Sequence, residues 1–381
     1  MSRRDLNAHL FGLGPKRILA LDGGGIRGIL TVQLLRRIET IVRERTGDNS
    51  SVLADYFDLI GGTSTGAIIA SALALGWTVD RIEKLYRELG NSIFHSSFFR
   101  KGLLRPKFSA QPVKAALERE YGGIRLGGPE LKTGLAVVAK RLDTGNTWVM
   151  HNNPKGRYFE RRLGSTAIAN KDYLLRDVVR ASTAAPTYFE PERIQVADGV
   201  DGAFVDGGVS PHNNPALQLI MLATMKGYGL NWPMGADKIQ LVSLGTGSAT
   251  LRLNQQEVMG MTAVELGVRG LSSLMDDAGA LNELLLQWMS SSPTAKKIDS
   301  EIGDLSGDVI GGGNPLLTYL RYDVSFDESW LKEKLKLILE AKQFASIAEM
   351  DRAGNMDALV NIGKAAAELI EDKHFGGDFD I

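Results

Sequence analysis

The sequence contains no cysteine among its 381 residues, so disulfide bonds, thiolate catalysis and cysteine-based metal sites are all excluded. It has almost no net charge either, because 44 Lys and Arg residues nearly balance 45 Asp and Glu residues. The resulting formal charge of −1 creates no overall field that would favour a nucleic acid polymer or an anionic membrane. Any such attraction has to come from a local patch of the surface.

Long apolar runs are also missing. No window approaches the roughly 18 uninterrupted apolar residues of a membrane-spanning helix. The N-terminal segment lacks the roughly 7–15-residue apolar core of a secretory signal. Hydrophobic residues nevertheless make up 44% of the chain, which is enough for a sizeable core. We therefore expect a globular, cytoplasmic protein.

The first 75 residues carry the clearest structural pattern. A short apolar run at 18–21 ends in an aspartate and a glycine cluster, and helical spacing of apolar residues follows from Gly28 to about Arg45. A second apolar run at 56–60 is again closed by glycines and followed by a small, apolar helix at 65–75. Two successive strand–turn–helix units predict parallel strands with crossover helices. The expected fold is therefore a layered α/β domain with parallel strands.

The rest of the chain carries weaker signals of the same kind. From about Gln255 onward the pattern is mainly helical, and a glycine-rich loop at 303–315 interrupts it. The further predicted elements are strands at 135–139, 147–150, 204–205 and 239–244, and helices at 213–225, 257–291, 329–343 and 355–371.

The segment GTSTG (62–66) has the nucleophile-elbow pattern G-x-S-x-G, with a predicted strand before it and a predicted helix after it. The flanking glycines, Gly62 and Gly66, are needed because the serine backbone sits in a strained turn. Such a turn exposes the hydroxyl of Ser64 at the carboxyl edge of the sheet. Ser64 is thus a candidate nucleophile, although a glycine-rich turn with an idle serine would look the same.

The segment DGGGIRG (22–28) permits three interpretations. A dinucleotide-binding loop needs an acidic residue at the end of the next strand, whereas Glu44 and Asp48 fall at a helix end or in a loop. A phosphate-binding P-loop needs Gly-Lys-Ser/Thr, which is absent. An oxyanion hole would use the free amides of Gly24 and Gly25 beside Ser64.

The segment DGG (206–208) places a carboxylate at the end of a predicted strand. Because a serine hydroxyl needs an adjacent base to attack an ester, Asp206 is the candidate base. A simple turn is the alternative. Of the five histidines only His212 lies near a motif, and it is the candidate for a triad instead.

These three motifs, in this order, resemble the signature of patatin-like phospholipases. Supporting similarity lies in YFDLIGGTSTGAIIA, ASTAAPTYFEP and LVSLGTG, and the resemblance covers roughly 15–250. It implies a three-layer α/β/α patatin-like fold with a mainly parallel central sheet, and a Ser64–Asp206 dyad without a metal. By the same resemblance Gly207 and Gly208 complete the aspartate motif. The oxyanion-hole motif is then formed by Gly23, Gly24, Gly25, Arg27 and Gly28.

The resemblance also implies a substrate and a setting. The expected reaction is cleavage of fatty-acyl esters of membrane phospholipids through an acyl-enzyme, at the inner membrane and with only peripheral contact. The motif set is similar to that of bacterial anti-phage phospholipases, for which a cyclic dinucleotide is the activator. The remaining alternatives are a non-catalytic ligand-binding protein of this fold and a nucleotide-binding oxidoreductase that uses loop 23–28.

Two organisational predictions complete the sequence analysis. The chain divides into a catalytic domain at 15–250 and a helical C-terminal region at 251–381, which is part of or packed on the same domain and a candidate for regulation. Separately, the segment 94–108 combines four aromatic and four cationic side chains with no acid. Rings and cations suit a lipid headgroup boundary, so this segment is a candidate membrane contact. A buried apolar packing role is the competing interpretation.

Overall fold

The computed structural model describes residues 4–94, 108–248, 254–310 and 312–380. Within these ranges one mixed sheet of eight strands has the order β5-β6-β3-β2-β1-β7-β8, with β4 also paired to β3. The strands are β1 (Lys16–Leu21), β2 (Leu59–Thr63), β3 (Gly134–Arg141), β4 (Asn146–His151), β5 (Glu192–Ala197), β6 (Val200–Asp206), β7 (Ile239–Leu244) and β8 (Thr318–Tyr322).

The sheet has a parallel centre and an antiparallel end. Strands β3, β2, β1, β7 and β8 pair in parallel, while β4, β6 and β5 join through antiparallel ladders. The predicted α/β fold with a mainly parallel sheet is therefore confirmed. The central strand β1 is buried along its whole length, as a strand covered on both faces should be.

Helices cover both faces of the sheet. In β1, Leu19 and Leu21 belong to one apolar cluster and Ile18 and Ala20 to another, so alternate side chains enter two separate cores. The α-helices are α1 (Leu6–Phe11), α2 (Gly28–Thr46), α3 (Leu53–Tyr56), α4 (Thr65–Ala74), α5 (Val79–Phe94), α6 (Gln111–Tyr121), α7 (Leu175–Ser182), α8 (Ala216–Thr224), α9 (Gln255–Met259), α10 (Ala263–Met289), α11 (Glu328–Leu335), α12 (Ala341–Ile347) and α13 (Met356–Ala367). No described helix combines the length and the apolar character needed to cross a bilayer.

Several element boundaries differ from the sequence-based predictions. The strand predicted at 56–60 begins only at Leu59, because Tyr56 ends the short helix α3. The helix predicted at 257–291 is two helices, since Thr262 and Glu265 form a capping box that starts α10 anew. The helix predicted at 329–343 is also two helices, because Lys336 adopts the left-handed conformation after α11.

The C-terminal region contributes a strand as well as helices, which the sequence analysis missed. Strand β8 pairs in parallel with β7 and extends the sheet beyond it. Helix α13 packs against α2 at Gly363, where a Cβ atom would lie only 2.9 Å from the Cβ of Gln33. Residues from this region therefore reach the sheet and the helix that follows the first glycine loop.

The pairing of β3 brings two distant chain segments together. Strand β4 occupies one edge of β3 from Ala136 to Arg141, so β2 and β6 share the other edge. There Thr63 is paired with Val138 and Asp206 with Ala139, the next residue along β3. Because β2 and β6 run in opposite directions, their carboxyl ends meet at this point.

Candidate functional site

Ser64 occupies the sharp turn between β2 and α4. Its φ of 56° and ψ of −124° are unusual for a residue with a side chain. The turn is tight on both sides: a Cβ at Gly62 would lie 2.1 Å from the carbonyl oxygen of Gly66. A Cβ at Gly66 would in turn lie 2.2 Å from the carbonyl oxygen of Leu21. Both glycines are thus required for the backbone to hold Ser64 at the end of its strand.

The hydroxyl of Ser64 donates a hydrogen bond to Asp206, with 2.5 Å between Oγ and Oδ2. The other carboxylate oxygen of Asp206 accepts from the backbone N–H of Gly208 at 2.7 Å. Burial raises the pKa of Asp206 to about 6, while these hydrogen bonds and the charge of Arg180 oppose the rise. A carboxylate with a raised pKa is a better proton acceptor than an exposed aspartate.

The aspartate turn is held close to β3. A Cβ at Gly207 would lie 2.3 Å from the carbonyl oxygen of Val138, so only glycine fits this approach. A Cβ at Gly208 would lie 3.1 Å from Oδ1 of Asp206, beside the hydrogen bond that orients the carboxylate. The two glycines therefore allow the main chain to leave β6 while Asp206 stays directed at Ser64.

Ser182 is a positioning residue that the sequence analysis missed. Its Oγ accepts the backbone N–H of Ser64 at 2.8 Å and donates to the carbonyl oxygen of Val138 at 2.6 Å. This bridge ties the strained turn to β3. Ser182 lies within ASTAAPTYFEP, a segment that resembles the family, although the resemblance assigns no role to any one of its residues.

The glycine loop 23–28 lies against this turn. The Cβ position of Gly23 is 3.1 Å from Cβ of Ser64. Side chains hold the carbonyl of Gly23: Thr246 donates to it at 3.1 Å and Asn213 at 3.3 Å. Because C=O and N–H of a trans peptide point in opposite directions, these contacts also fix the direction of the N–H of Gly24.

The next carbonyls of the loop are held in the same way. Gly24 accepts the backbone N–H of Arg27 at 3.2 Å, and Gly25 accepts from the hydroxyls of Thr65 and Tyr86. By contrast, the N–H groups of Gly24, Gly25 and Thr65 have no acceptor among the residues that the structure describes. Fixed N–H donors beside a serine hydroxyl are suited to bind an oxygen that becomes negatively charged.

Gly28 and Arg27 differ in what they contact. A Cβ at Gly28 would lie 2.6 Å from the hydroxyl of Tyr86, so glycine permits close packing of α2. The guanidinium of Arg27 is buried, donates to the carbonyl oxygen of Ala348 at 3.2 Å and lies 5.9 Å from the ring centre of Phe326. The side chain of Arg27 therefore connects the loop to the C-terminal region.

His212 is placed near the site but not in the hydrogen bond of Ser64. Its carbonyl oxygen accepts from Thr63 Oγ1 at 2.6 Å, while its buried Nδ1 has no partner within the described part of the chain. Burial lowers the pKa of His212, which favours the neutral ring. Ser64 bonds to Asp206 and not to His212, so the geometry favours a dyad over a triad.

A buried charge cluster lies directly behind the glycine loop. Arg321 of β8 contacts Asp22 at 2.7 Å, Asp323 at 3.0 Å and Glu283 of α10 at 3.1 Å. Burial raises the pKa of Asp22 to about 7, against the opposing charge of Arg321. No sequence motif identifies Arg321, because Asp22 and Glu283 lie far from it in the sequence.

The predicted membrane segment 94–108 falls mostly on residues 95–107, which lie outside the described residues. At its end, Phe108 is buried and stacks on Tyr188, with 6.2 Å between ring centres. The membrane role of segment 94–108 stays a prediction.

Comparison with known proteins bears on the family to which this chain belongs. The family model for patatin-like phospholipases matches residues 19–220. A "cGAMP-activated phospholipase" of Vibrio cholerae is 30% identical over 285 residues, which cover 72% of this chain and 76% of that protein. A protein of the same description from Escherichia coli is 28% identical and the match covers 60% of this chain and 62% of that protein. Patatin-17 of Solanum cardiophyllum is 30% identical, over 61% of each chain.

Among solved structures, VipD from Legionella pneumophila aligns with a TM-score of 0.38 and 13% identity over 91% of this chain and 67% of that chain. That likeness is too distant to add to the assignment. The family model alone covers more than half of the chain and includes all three motifs. The protein therefore belongs to the patatin-like phospholipase family and is a lipid-acyl hydrolase, that is, a carboxylic ester hydrolase.

Proposed function

We propose that the protein cleaves fatty-acyl esters of membrane phospholipids with Ser64 as the nucleophile and Asp206 as the general base. The observation that carries this proposal is the 2.5 Å hydrogen bond from Ser64 Oγ to Asp206 Oδ2. Two further observations support it. The buried carboxylate has a pKa of about 6, and the backbone N–H groups of Gly24, Gly25 and Thr65 lie in the turns that flank Ser64 without an acceptor among the described residues.

The first half of the reaction forms an acyl-enzyme. Asp206 takes the proton of Ser64 as Oγ attacks the ester carbonyl carbon. The carbonyl oxygen becomes an oxyanion, which accepts from the free N–H groups of the glycine loop and of the first turn of α4. The tetrahedral intermediate then collapses, and Asp206 returns its proton to the alkoxide of the leaving lysophospholipid.

The second half releases the fatty acid. A water molecule enters in place of the lysophospholipid and gives a proton to Asp206 as it attacks the acyl carbon. Ser64 Oγ leaves and regains that proton, so the enzyme returns to its starting state. One carboxylate serves both steps, and His212 has no part in either.

We further propose that a cyclic dinucleotide activates this hydrolysis. Two relatives with matches over 76% and 62% of their own lengths carry the description "cGAMP-activated phospholipase". The anti-phage role belongs to the same proposal and rests on the sequence resemblance alone. The Arg27 contact with Ala348 and the Arg321 contacts with Asp22 and Glu283 connect the C-terminal region to the glycine loop, so that region is our candidate for transmitting activation.

The test combines covalent labelling with lipid analysis. Wild type, Ser64→Ala, Asp206→Asn and His212→Ala are each treated with a fluorophosphonate and with a mixed phospholipid pool, with and without cGAMP. We expect labelling of Ser64 and release of fatty acid and lysophospholipid by wild type and His212→Ala. Ser64→Ala and Asp206→Asn should each lose activity by about 10⁴-fold or more, and the double variant should be scarcely worse because the pair acts as a unit.

The possible failures are distinct. Activity that survives in Asp206→Asn but is lost in His212→Ala would replace the dyad with a triad. An unlabelled Ser64 with no hydrolysis of any lipid would reject the catalytic assignment. Equal rates with and without cGAMP would reject activation by that nucleotide and leave the hydrolase in place.

A further inference from the structure

Arg180 of α7 is a buried cation beside the candidate site, with only 2% of its surface exposed. Two residues further on, Ser182 accepts the backbone N–H of Ser64. The carbonyl oxygen of Ala184 in turn accepts the backbone N–H of Asp206 at 3.0 Å. The end of α7 and the residues directly after it therefore hold both members of the dyad, and Arg180 lies about one helical turn before these contacts.

The guanidinium of Arg180 is incompletely paired. Its Nη2 donates to the carbonyl oxygen of Glu190 at 3.2 Å, and its Cζ lies 5.3 Å from the ring centre of Phe189. Nε is 3.5 Å from Oε2 of Glu192, which is too long for a strong hydrogen bond. Nη1 has no hydrogen-bond partner within the described part of the chain. Because a guanidinium stays charged even when it is buried, an incompletely paired one requires negative charge nearby.

Glu192 supplies only part of that charge. Its other carboxylate oxygen, Oε1, binds Nζ of Lys114 at 2.8 Å, so one carboxylate is shared between two cations. Glu190 also acts on Arg180, but Glu190 is exposed and water screens its charge. The remaining carboxylate that acts on Arg180 is that of Asp206. It acts through its electric field, since no hydrogen bond joins the two side chains among the residues that the structure describes.

These charges balance in only one protonation state of Asp206. Arg180 and Lys114 carry two positive charges, whereas Glu192 carries one negative charge. An ionised Asp206 supplies the second negative charge, while a protonated Asp206 leaves an excess of positive charge around the buried guanidinium. The oxygens of Asp206 themselves bind a hydroxyl and a backbone N–H and, among the described residues, no cation.

The other charged or titratable groups around this carboxylate are engaged elsewhere. On β3, Lys140 and Arg141 bind groups of the turn between β3 and β4. Burial lowers the pKa of His212, which favours its neutral ring. From α10, Asp276 interacts with the glycine loop through the charge of that loop's arginine. Among the described side chains, Arg180 is thus the cation whose charge acts on the base.

We propose that Arg180 is a positioning residue of the reaction, which acts through Asp206 by keeping that carboxylate ionised and ready to accept the proton of Ser64. This inference rests on the proposed function, because it requires Asp206 to be the base. Burial alone would raise the pKa of Asp206 further, and a base that is protonated at neutral pH cannot activate the serine. The charge of Arg180 opposes this effect without occupying either carboxylate oxygen, so one oxygen stays available to Ser64 and the other to the aspartate turn.

The experiment compares the pH dependence of four variants with that of wild type. Arg180→Met removes the charge with little change in side-chain length, and Arg180→Lys keeps the charge. Glu192→Gln removes the carboxylate that shares the charge of Arg180. Arg176→Met is the matched control, because Arg176 lies one turn earlier on α7 and is paired with Glu118 at the surface.

Two quantities are measured for each variant. The first is kcat/KM for a short-chain soluble ester between about pH 4 and about pH 9, with cGAMP present. The second is the protonation of Asp206 without substrate, followed by the NMR signal of its isotope-labelled carboxyl carbon. That signal is assigned by its absence in Asp206→Asn.

We expect the acid-side midpoint of kcat/KM to rise by about one pH unit in Arg180→Met, the lower end of the effect of a nearby opposite charge on a carboxylate. Its kcat/KM should be about tenfold below wild type at about pH 5 and approach wild type above about pH 8, where Asp206 is ionised in both proteins. Arg180→Lys and Arg176→Met should keep the wild-type midpoint. Glu192→Gln should lower it, because the charge of Arg180 is then no longer shared. The NMR titration of Asp206 should shift with the same signs.

The contrary outcomes are distinct. A midpoint that is the same in wild type and Arg180→Met by both measurements, or a loss of kcat/KM by the same factor at every pH, would overturn the inference and leave Arg180 a structural role. If Arg180→Met does not fold, an unchanged midpoint in Glu192→Gln has the same consequence. An NMR titration that shifts while the midpoint of kcat/KM does not would reject Asp206 as the base, and with it the proposed function on which the inference rests.

Discussion

The two regions of the chain contribute to the site in different ways. Within residues 15–250, three short motifs supply Ser64, Asp206 and the glycine loop. Each motif contains both the candidate functional group and the glycines that shape the backbone around it. Within residues 251–381 there is no comparable motif, yet Arg321 binds Asp22 across 299 residues of sequence and Ala348 binds Arg27. The first region thus carries the groups that would contact substrate. The second region holds the glycine loop in place through its contacts with Asp22 and Arg27.

This difference indicates how substitutions in each region should affect the protein. A group that meets substrate depends on its own identity and on the backbone within a few residues of it. A supporting group depends on partners that only the fold brings near. Substitutions in the C-terminal region should therefore act first on stability, while those in the motifs should act first on turnover.

The largest stability effect that would test this comparison is at Arg321. Replacement by Met leaves Asp22, Asp323 and Glu283 buried with fewer positive charges around them. Loss of one partner from a buried ion cluster costs about 3–5 kcal/mol, because the remaining charges stay uncompensated. We expect a fall of that size in the free energy of unfolding, measured by urea titration, and partial recovery in Arg321→Met with Asp22→Asn.

Arg119→Met is the matched control. Arg119 also contacts two carboxylates, Glu88 at 2.9 Å and Glu120 at 2.8 Å, but its side chain is 57% exposed. Exposed ion pairs contribute little to stability, because water and salt screen their charges. If Arg321→Met were no less stable than Arg119→Met, the C-terminal region would not support the glycine loop in the way described.

Much of the catalytic arrangement could be predicted from sequence, because its signals are local. Gly62, Gly66 and Gly207 are placed where a Cβ would strike a backbone atom, so the spacing of these glycines itself encodes the turns. The direction of the N–H group of Gly24 could not be predicted. It depends on the contacts that Asn213 and Thr246 make with the carbonyl oxygen of Gly23, and the sequence analysis did not assign these two residues to the site.

The missed parts of the fold have a common physical origin. Strand β8 has only five residues and follows a glycine-rich loop, so its apolar pattern was too short to separate it from the surrounding helices. Its burial comes from pairing with β7, which no local signal reveals. The break before α10 was available from sequence, since Thr262 and Glu265 form the capping-box pattern.

The next largest effect is expected where the two regions touch, at Gly25. Its φ of +60° is the left-handed conformation, and a Cβ there would lie 2.4 Å from the carbonyl oxygen of Met350. Gly25→Ala should displace that carbonyl from the N–H of Ile26 and disturb the neighbouring free N–H groups. We expect turnover of a soluble ester to fall by about 10²–10³, the typical effect of losing one oxyanion donor.

Gly47→Ala separates this effect from backbone strain. Gly47 has nearly the same φ, +63°, but no atom lies within 4 Å of its Cβ position. Both variants should lose about 1 kcal/mol of stability from the left-handed backbone, and only Gly25→Ala should lose turnover. Equal activity in the two variants would mean that the loop does not provide catalytic N–H donors.

The smallest effect lies wholly within the first region and concerns how stability and activity depend on the pKa of Asp206. Burial raises that pKa to about 6, compared with about 3.9 for an unfolded aspartate. The folded protein therefore holds this proton more tightly than the unfolded chain does. The stabilising contribution of the protonated carboxyl is complete below about pH 4, and it is lost as pH rises through about 6.

Asp206→Asn removes this dependence, because its amide does not ionise. Between about pH 4 and about pH 8, the Asn variant should gain on the order of 1–3 kcal/mol in unfolding free energy relative to wild type. Asp143→Asn should instead lose unfolding free energy relative to wild type over this range, since hydrogen bonds from Arg141 lower the pKa of the exposed Asp143.

Over the same range, kcat/KM of wild type should fall on the acid side with a midpoint near 6, because the base must be ionised. A wild type whose activity is flat down to about pH 4, or an Asn variant that gains no stability, would show that Asp206 is not the buried base inferred from its contact with Ser64.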